Sequence, residues 1–470
     1  MTRKLCGPLA AALLWLVAPG ALSAQPARPP AQRLPNVLVV SIDTLRADRL
    51  SAYGYRRPTS PAIDRLLASG VRFDQARTVE PLTNPSLCSL WTSLYPHQHG
   101  ATRNGLRLRP GLASLSGVLR RRGYKTAGIV GSWPLRDRIS GLGEHFQDYR
   151  EILNRKRWFG MFRGESTAED LTDEALAWLS EQKRGQPFLL WVHYVEPHAP
   201  YRLQKEFLAR LGLSGLARHG EIGKSDRYDT EIAFADHHVG RLLAAIERDP
   251  QLAAETLIVF LSDHGESLGE HGTWGHGRDL YEPTLRIPMG IAWPGKIASG
   301  GKRPRTISTP ATQLDLAPTV LGLIGLPIPP AFQGFDWSGV LLRGEPAPHR
   351  KTWHQAHRGL VFSGDEAHNA RRRGLLEVAV FDGTSKEILR VERPESPEVR
   401  TFDLATDPGE VRSGQGRKKA RAKKPSPELE RWLAEVRAGL TASDDLPADV
   451  DPESIERLRA LGYVQGTGAP

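Results

Sequence analysis

Cysteine is scarce in this 470-residue chain, which contains only Cys6 and Cys88. Cys6 lies in an N-terminal segment, residues 1–24, that combines a basic start, a short apolar run and a small-residue site ending at Ala24. This pattern predicts a secretory signal peptide that is cleaved near Ala24, and therefore a periplasmic or secreted protein. Cleavage removes Cys6, so we expect no intramolecular disulfide in the mature chain.

Long apolar runs are also missing after the signal segment. No later stretch approaches the roughly 20 apolar residues that a membrane-spanning helix needs, so we expect no transmembrane segment once the signal is removed. No nucleic-acid-binding module is recognisable, and we expect no nucleic-acid partner. Basic charge is plentiful instead: the formal net charge is +10, which suits an anionic substrate. The densest basic run, residues 411–425, predicts a solvated loop, with a contact to a polyanion as the alternative.

Residues 25–34 form a Pro-rich lead-in, and residues 35–344 then alternate two kinds of pattern. Short continuous apolar runs are typical of strands buried on both faces of a parallel sheet; they occupy residues 37–42, 126–130, 188–192 and 257–261. Apolar residues at helical spacing predict helices at 61–68, 112–121, 168–179 and 229–246. This alternation predicts an α/β fold, a doubly wound sandwich around a mostly parallel sheet.

The pattern changes after about residue 344. Short strand-like runs at 375–381, 386–391 and 400–404 are separated by turn-forming residues, and helices are predicted at 427–440 and 452–461. We therefore expect residues 345–470 to form a smaller C-terminal α+β domain with an antiparallel sheet.

Three polar residues follow directly on two predicted strands. Asp43 ends the first strand, and Asp263 and His264 follow the strand at 257–261. Ligands bind at the carboxyl ends of strands in open parallel sheets, so these side chains are expected to share one crevice. Two carboxylates and an imidazole form a mixed oxygen and nitrogen site for a divalent cation. For the dipeptides alone, a turn or a helix cap is the alternative interpretation.

Several longer segments resemble the sulfatase family of the alkaline phosphatase superfamily, in the order that the family has them. They are residues 35–48, 191–201 and 257–272, followed by 315–319, 402–410 and 458–463. The resemblance implies an ester hydrolase with one divalent metal cation, Mn, Zn or Ca. Its ligands would be Asp43, Asp263, His264 and the nucleophile. Thr44 stands where many sulfatases have a second aspartate, which disfavours Ca because Ca prefers many oxygen ligands.

The nucleophile segment departs from the family pattern. Sulfatases carry a Cys-x-Pro-x-Arg motif whose cysteine becomes formylglycine, whereas alignment on Pro85 puts Thr83 in the cysteine position. Cys88 lies five residues later and is interpreted as a small core residue. We therefore expect no formylglycine and predict Thr83 as the nucleophile, a metal ligand and the N-cap of a helix that starts near Pro85. A threonine favours phosphoric over sulfuric esters, because a formylglycine hydrate can release sulfate by reverting to an aldehyde and a threonine cannot.

Three more residues are predicted to contact the transferred group. The resemblance assigns His198 and His276 to substrate, and Asn104 is similar to an asparagine that supports the transferred group in related phosphodiesterases. His193 is predicted to lie behind the metal ligands. Arg46 is predicted either to neutralise Asp43 or to face substrate, with a surface helix charge as the alternative.

The sequence thus predicts an exported, metal-dependent hydrolase of sulfuric or phosphoric esters. Its expected partner is an anionic ester, a sulfated or phosphorylated glycan or lipid. One rival is a transferase similar to the phosphoethanolamine and phosphoglycerol transferases. The other is a metal-stabilised binding protein for acidic glycans that lacks catalysis. The natural substrate and the oligomeric state are not predicted.

Overall fold

The computed structural model describes residues 34–153, 155–157, 162–297, 305–357, 374–392, 397–412 and 424–440. The predicted signal peptide, residues 25–33 of the lead-in, residues 413–423 of the basic loop and the helix predicted at 452–461 lie outside the described residues. Within the described ranges, no helix combines the length and the apolarity that crossing a membrane requires.

Eighteen strands lie in the described residues. In chain order they are β1 (Asn36–Ile42), β2 (Val71–Phe73), β3 (Ala76–Arg77), β4 (Lys125–Val130), β5 (Asp148–Glu151), β6 (Arg155–Arg157), β7 (Phe162–Glu165), β8 (Phe188–Tyr194), β9 (Thr256–Ser262), β10 (Ser267–Leu268), β11 (Trp274–Gly275), β12 (Met289–Ala292), β13 (Arg305–Ile307), β14 (Ala311–Thr312), β15 (Thr352–His357), β16 (Leu375–Asp382), β17 (Ser385–Arg390) and β18 (Glu398–Asp403).

Helices separate these strands. They are α1 (Pro61–Ser69), α2 (Thr83–Thr92), α3 (Pro96–His99), α4 (Leu115–Arg121), α5 (Asp137–Ser140), α6 (Ala168–Ser180), α7 (Ser214–His219), α8 (Lys224–Glu247), α9 (Pro250–Ala254), α10 (Glu282–Leu285), α11 (Leu316–Leu323), α12 (Ser338–Arg343) and α13 (Pro427–Leu440).

The central sheet has eight strands in the order β13-β2-β12-β9-β1-β8-β4-β5. Its middle strands β9, β1, β8 and β4 pair in parallel, and β12 is antiparallel to both of its neighbours. The predicted mostly parallel α/β sheet is therefore confirmed. This topology places the carboxyl ends of β1, β8 and β9 side by side at one edge of the sheet.

Both faces of the central sheet are covered, which explains the continuous apolar runs in its strands. In β1, Val37 and Val39 pack into the cluster that contains Trp91 of α2. Leu38 and Val40 pack into the opposite cluster, which contains α1, α6 and α8 side chains such as Trp178. Residues of one strand thus alternate between the two layers of a doubly wound sandwich.

A second sheet follows in the C-terminal part of the chain. Strands β15, β16, β17 and β18 form an antiparallel meander, and Trp432 and Val436 of α13 pack against Val378 and Leu389 of this sheet. The predicted smaller antiparallel domain is confirmed as a structural unit of this kind. The boundary near residue 344 stays a prediction, since the first strand of this sheet begins at Thr352.

Candidate active site

Two buried aspartates lie side by side at the carboxyl edge of the central sheet. Asp43 follows β1 and Asp263 follows β9, and the register pairs Ile42 with Ser262 at the ends of these strands. Both aspartates are fully buried. The parallel pairing of β1 with β9 therefore brings together two carboxylates that are far apart in the sequence.

His264 completes a cluster with these carboxylates. One ligand atom from each of Asp43, Asp263 and His264 lies within 4.8 Å of the other two. His264 Nδ1 lies 2.9 Å from the carbonyl oxygen of Gly265, which can only accept, so Nδ1 carries the proton. Nε2 then presents its lone pair 3.7 Å from Asp43 Oδ1 and 3.5 Å from Asp263 Oδ2. Burial lowers the pKa of His264 to about 4, so the ring is neutral at neutral pH.

The cluster has the donor set and the electrostatics of a divalent cation site. Asp263 Oδ1 accepts N–H groups from Thr44 at 3.1 Å and from His264 at 2.7 Å. Asp263 Oδ2 is buried and accepts no hydrogen bond among the described residues. Electron-rich atoms that face one another in the protein interior repel each other strongly, and a bound cation removes that cost. Carboxylate oxygens together with an imidazole nitrogen are a donor set that suits a divalent cation.

Thr44 has an unusual backbone conformation beside this cluster. Its φ is +56°, in the left-handed region that β-branched residues rarely adopt. This conformation directs the Thr44 N–H to Asp263. Strained residues of this kind concentrate at functional sites, where the surrounding structure holds them in place.

Thr83 lies next to the cluster at the start of α2. It is the first residue of that helix, and Leu82, with φ −142° and ψ 139°, is the N-cap. The predicted N-cap role of Thr83 is therefore wrong, because the chain enters the helix one residue earlier. The hydroxyl is buried, and Oγ1 lies 3.4 Å from His264 Nε2.

Asn104 approaches the same helix start. Its Oδ1 accepts the backbone N–H of Asn84 at 3.0 Å. The Asn84 side chain in turn donates to the carbonyl oxygen of Leu106 at 2.7 Å, which fixes the turn that carries Asn104. Because the oxygen of the Asn104 carboxamide is engaged, its Nδ2 group is the end that can donate to a transferred anion.

Two further histidines lie against the cluster. The ring centre of His276 is 4.3 Å from that of His264 and 5.4 Å from that of His198. His198 Nδ1 lies 2.7 Å from the carbonyl oxygen of Ala199. His276 Nδ1 lies 3.0 Å from Oε1 of the fully buried Glu266. The structure thus gathers all seven residues that the sequence assigned to the site.

Glu266 is a site residue that sequence reasoning missed. Its carboxylate orients the ring of His276 by fixing a proton on Nδ1. The available signal was its position in the segment 262–266, two residues after a predicted metal ligand.

His193 lies behind Asp43. Its Nδ1 is 2.9 Å from Ser41 Oγ, and Ser41 Oγ accepts the Trp191 Nε1–H at 2.8 Å. Nε2 is 3.7 Å from Asp43 Oδ2. Burial lowers the pKa of His193 to about 4, so a neutral ring faces the carboxylate.

Arg46 and Cys88 are both buried in the protein. Arg46 is buried and forms ion pairs with Asp48 and Glu270, both at 2.7 Å. The alternative of a surface charge is therefore wrong, because Arg46 is buried among neighbouring carboxylates; that it neutralises Asp43 or faces substrate stays a prediction. Cys88 is a core residue of α2, as predicted, and burial raises the pKa of its thiol.

Comparison with known families identifies the chain. The family model "Sulfatase" matches residues 35–326. The chain belongs to the sulfatase family. A second model, "N-sulphoglucosamine sulphohydrolase, C-terminal", matches residues 269–438, which include the antiparallel sheet.

Individual sulfatase relatives are distant. The chain is 27% identical over 355 residues to "Uncharacterized sulfatase YidJ" of Escherichia coli K12, a match that covers 64% of this chain and 70% of the relative. It is 23% identical over 501 residues to an N-acetylglucosamine-6-O-sulfatase of Bacteroides thetaiotaomicron, with 86% of each chain covered.

Solved structures share the fold. A phosphonate monoester hydrolase of Agrobacterium radiobacter superposes with a TM-score of 0.65 at 21% identity, over 86% of this chain and 96% of the other. As a member of the sulfatase family, the chain is an ester hydrolase of the alkaline phosphatase superfamily. Membership disfavours the alternative of a glycan-binding protein without catalysis.

Proposed function

We propose that this sulfatase is an exported, metal-dependent hydrolase in which Thr83 is the nucleophile, with a preference for phosphoric mono- and diesters. The observation that carries the proposal is the position of Thr83 Oγ1, buried and 3.4 Å from His264 Nε2 in the cluster of Asp43, Asp263 and His264.

The metal ligands in this proposal are Asp43, Asp263, His264 and Thr83. A divalent cation bound there would supply Lewis-acid activation of the Thr83 hydroxyl and of one ester oxygen. Residues of the chain keep the metal ligands in position. His193 lies behind Asp43, and the Thr44 N–H donates a hydrogen bond to Asp263.

The reaction proceeds in two displacements. Thr83 Oγ loses its proton and attacks phosphorus, while the bond to the leaving alcohol breaks and that alcohol takes up a proton. The positive end of the α2 dipole and the Nδ2 group of Asn104 stabilise the negative charge on the transferred group. His198 and His276 contact the same group from the opposite side. Water then attacks phosphorus, breaks its bond to Thr83 Oγ and restores the hydroxyl.

The choice of phosphorus rests on the chemistry of threonine. A sulfated threonine has no second hydroxyl on the same carbon, so it cannot expel sulfate by forming an aldehyde and must be hydrolysed at sulfur. A phosphorylated threonine is opened by attack of water at phosphorus. The fold shared with a phosphonate monoester hydrolase is compatible with this choice.

Hydrolysis of sulfuric esters is the second candidate, favoured by the relatives. The most extensively covered relative named here acts on a 6-O-sulfated N-acetylglucosamine by its name. For this chain the proposed substrate class is accordingly a sulfated or phosphorylated glycan or lipid. Transfer of the group to an alcohol instead of water is the remaining variant, and the same intermediate on Thr83 would serve it.

An ester panel tests the proposal. Chelated enzyme is reloaded with Mn, Zn or Ca and assayed on aryl sulfate, aryl phosphate, bis-aryl phosphate and an aryl phosphonate monoester. We expect the fastest turnover on a phosphorus ester, loss of activity in Thr83→Ala and retained activity in Thr83→Ser. Release of inorganic phosphate in water, compared with transfer to added glycerol, separates the hydrolase from the transferase.

Thr92→Ala is the matched control. It makes the same chemical change in the same helix, at a buried threonine whose hydroxyl bonds to the Cys88 carbonyl. Nine residues of helix separate it from Thr83, or about 13 Å. Equal activity of Thr83→Ala and Thr92→Ala would overturn the nucleophile assignment. A much faster sulfatase than phosphatase reaction would establish the second candidate.

Export is tested separately, by locating the expressed protein and sequencing its N-terminus. The chain expressed with its N-terminus intact in a Gram-negative host is recovered from the periplasm or the medium, and its first residue is sequenced. We expect a mature chain that begins shortly after Ala24. An intact N-terminus in the cytoplasmic fraction would contradict the prediction.

A further inference from the structure

A basic groove lies on the outer surface of the α1, α6 and α8 layer. It is a cavity of about 550 Å³ between α1 and the C-terminal half of α8. Four arginines line it, namely Arg65, Arg210, Arg241 and Arg248, and small residues such as Gly240 and Ala244 form its floor. None of the proposed active-site residues lines it. We use the name basic groove for this cavity.

The positive charge of the groove is poorly compensated. Of the four arginines, only Arg241 lies within salt-bridge distance of a carboxylate in the described ranges; its partner is Asp173, at 2.7 Å. The one carboxylate that lines the groove, Asp236, accepts the backbone N–H groups of Ala62 at 3.0 Å and Ile63 at 2.8 Å. That carboxylate also attracts Arg210, so two carboxylates, Asp173 and Asp236, face four arginines and the groove keeps a net positive charge.

Two of the guanidinium groups also have unused donors. Arg210 Nε is buried and makes no hydrogen bond to a described residue, and Arg210 donates only a long bond of 3.3 Å to the carbonyl oxygen of Ala233. Arg65 donates to a carbonyl oxygen of its own helix at 3.1 Å. A buried guanidinium donor without an acceptor costs free energy, which an oxyanion in the groove would recover.

The shape of the groove selects a small anion with more than one acidic group. Its volume falls in the range of small-molecule sites, about 300 to 1,000 Å³. Lining residues run along α8 from Asp236 to Arg248, a distance of about 18 Å at 1.5 Å per residue. Guanidinium forks match the paired oxygens of sulfate and phosphate.

We propose that the basic groove binds a soluble sugar or polyol that carries two or more sulfate or phosphate groups, at a site separate from the active site. The arginines of both walls contact different acidic groups of the same ligand. Binding is therefore lost when the ligand carries none of these groups, and it weakens as salt screens the charges.

Isothermal titration calorimetry tests this site. The probes are a trisulfated heparin disaccharide, inositol trisphosphate and an unsulfated chondroitin disaccharide. The test variant is Arg65→Ala with Arg248→Ala, both exposed side chains. The control is Arg121→Ala with Arg122→Ala, an equal charge change on two exposed arginines at the end of α4. We expect the test variant to bind at least one charged probe about tenfold more weakly than the parent, and the control to bind it like the parent.

Hydrogen exchange locates the bound probe. We expect protection of amides in α1 and in the second half of α8 in the parent, and none in the test variant. The probe that binds names the acidic group: the disaccharide indicates sulfate and the polyol indicates phosphate. Three outcomes would each overturn the proposal: no binding of either charged probe by the parent, equal binding by all three proteins, or binding that disappears in His198→Ala and not in the test variant.

Discussion

Replacing Asp263 by asparagine should stabilise the metal-free protein. In the chelated enzyme, carboxylate oxygens of Asp43 and Asp263 lie within 4.8 Å of each other and of the His264 lone pair. Two unit charges at 4.8 Å repel by about 3.5 kcal/mol at an effective dielectric constant of about 20. An asparagine keeps an oxygen for the two backbone N–H groups on Oδ1 and places an NH2 group where Oδ2 repels its neighbours.

The measurement is thermal unfolding with and without metal. The unfolding entropy is about 2.1 cal/mol/K per residue, so 3.5 kcal/mol corresponds to about 3 to 4 °C for a chain of this length. In chelator, Asp263→Asn should therefore melt about 3 to 4 °C above the parent. Saturating Mn or Zn should raise the Tm of the parent by a similar amount, since ligand at 100-fold excess over Kd contributes about 2.7 kcal/mol. The metal should have little effect on the variant.

Asp74→Asn is the control, because Asp74 forms an ion pair with Arg72 away from the cluster. It should keep the metal-dependent rise in Tm. If the parent and Asp263→Asn melt together in chelator, and metal raises neither, the three residues do not form a cation site and the electrostatic reasoning is wrong.

Three further predictions concern buried carboxylates and their partners. Glu266→Ala should lower kcat/KM by roughly tenfold or more by releasing the ring of His276, while Glu266→Gln, which still accepts the Nδ1–H, should retain most activity in steady-state assays. Burial raises the pKa of Asp236 to about 6, so the folded protein binds this proton more tightly than the unfolded chain. The contribution of Asp236 to the free energy of unfolding therefore falls by about 3 kcal/mol as the pH rises from about 4 to 7. In urea unfolding, Asp236→Asn should lack that fall, and parallel pH profiles of parent and variant would contradict the prediction. Lys386→Met should cost about 3 to 5 kcal/mol in the same assay, because it removes the ion pair of the buried Glu410 at 2.7 Å, whereas Glu282 keeps Arg77; a change below about 1 kcal/mol would show that the bridge is dispensable.

The four parallel strands in the middle of the central sheet, β1, β4, β8 and β9, were predictable because burial on both faces leaves a simple pattern. β1 and β9 are mostly apolar in sequence. β1 begins one residue before the predicted run, and β9 exceeds its predicted run by one residue at each end. The helices of the outer layers show helical spacing because only one stripe of each is buried. Two helix starts differ from the prediction: α8 begins at Lys224 and not at residue 229, since its first turn is polar, and α4 begins at Leu115 and not at residue 112, since Ser114 caps it.

Several shorter or more polar strands were not predicted, and β12 and β15 show why. β12 has four residues, and the Gly290 position packs so closely on Leu67 that a larger side chain would not fit. β15 is rich in polar residues, yet they are buried: His354 Nδ1 meets the Thr78 carbonyl oxygen at 2.7 Å, and the His357 backbone N–H donates to Glu80 at 2.7 Å. The partners that allow this burial lie elsewhere in the chain, and a local window does not contain them.

The site was largely predictable because its residues follow strands or lie in segments that resemble a known family. Parallel strand pairing explains how Asp43 and Asp263 meet. The start of α2 was misplaced by one residue because its N-cap, Leu82, has no side-chain signal of a cap. The role of Glu266 was not predicted because it depends on the hydrogen bond to His276, which forms only when β10 and β11 pair as a hairpin.

In the proposed mechanism, Thr83 carries the transferred group during turnover. Enzyme loaded with Mn or Zn is mixed with an aryl phosphate, quenched in acid within the first turnover and analysed by peptide mass spectrometry. We expect one phosphoryl group on the peptide that contains Thr83, absent in Thr83→Ala and present in Thr92→Ala. A phosphorus ester that turns over with no adduct on Thr83, or with undiminished rate in Thr83→Ala, would contradict it.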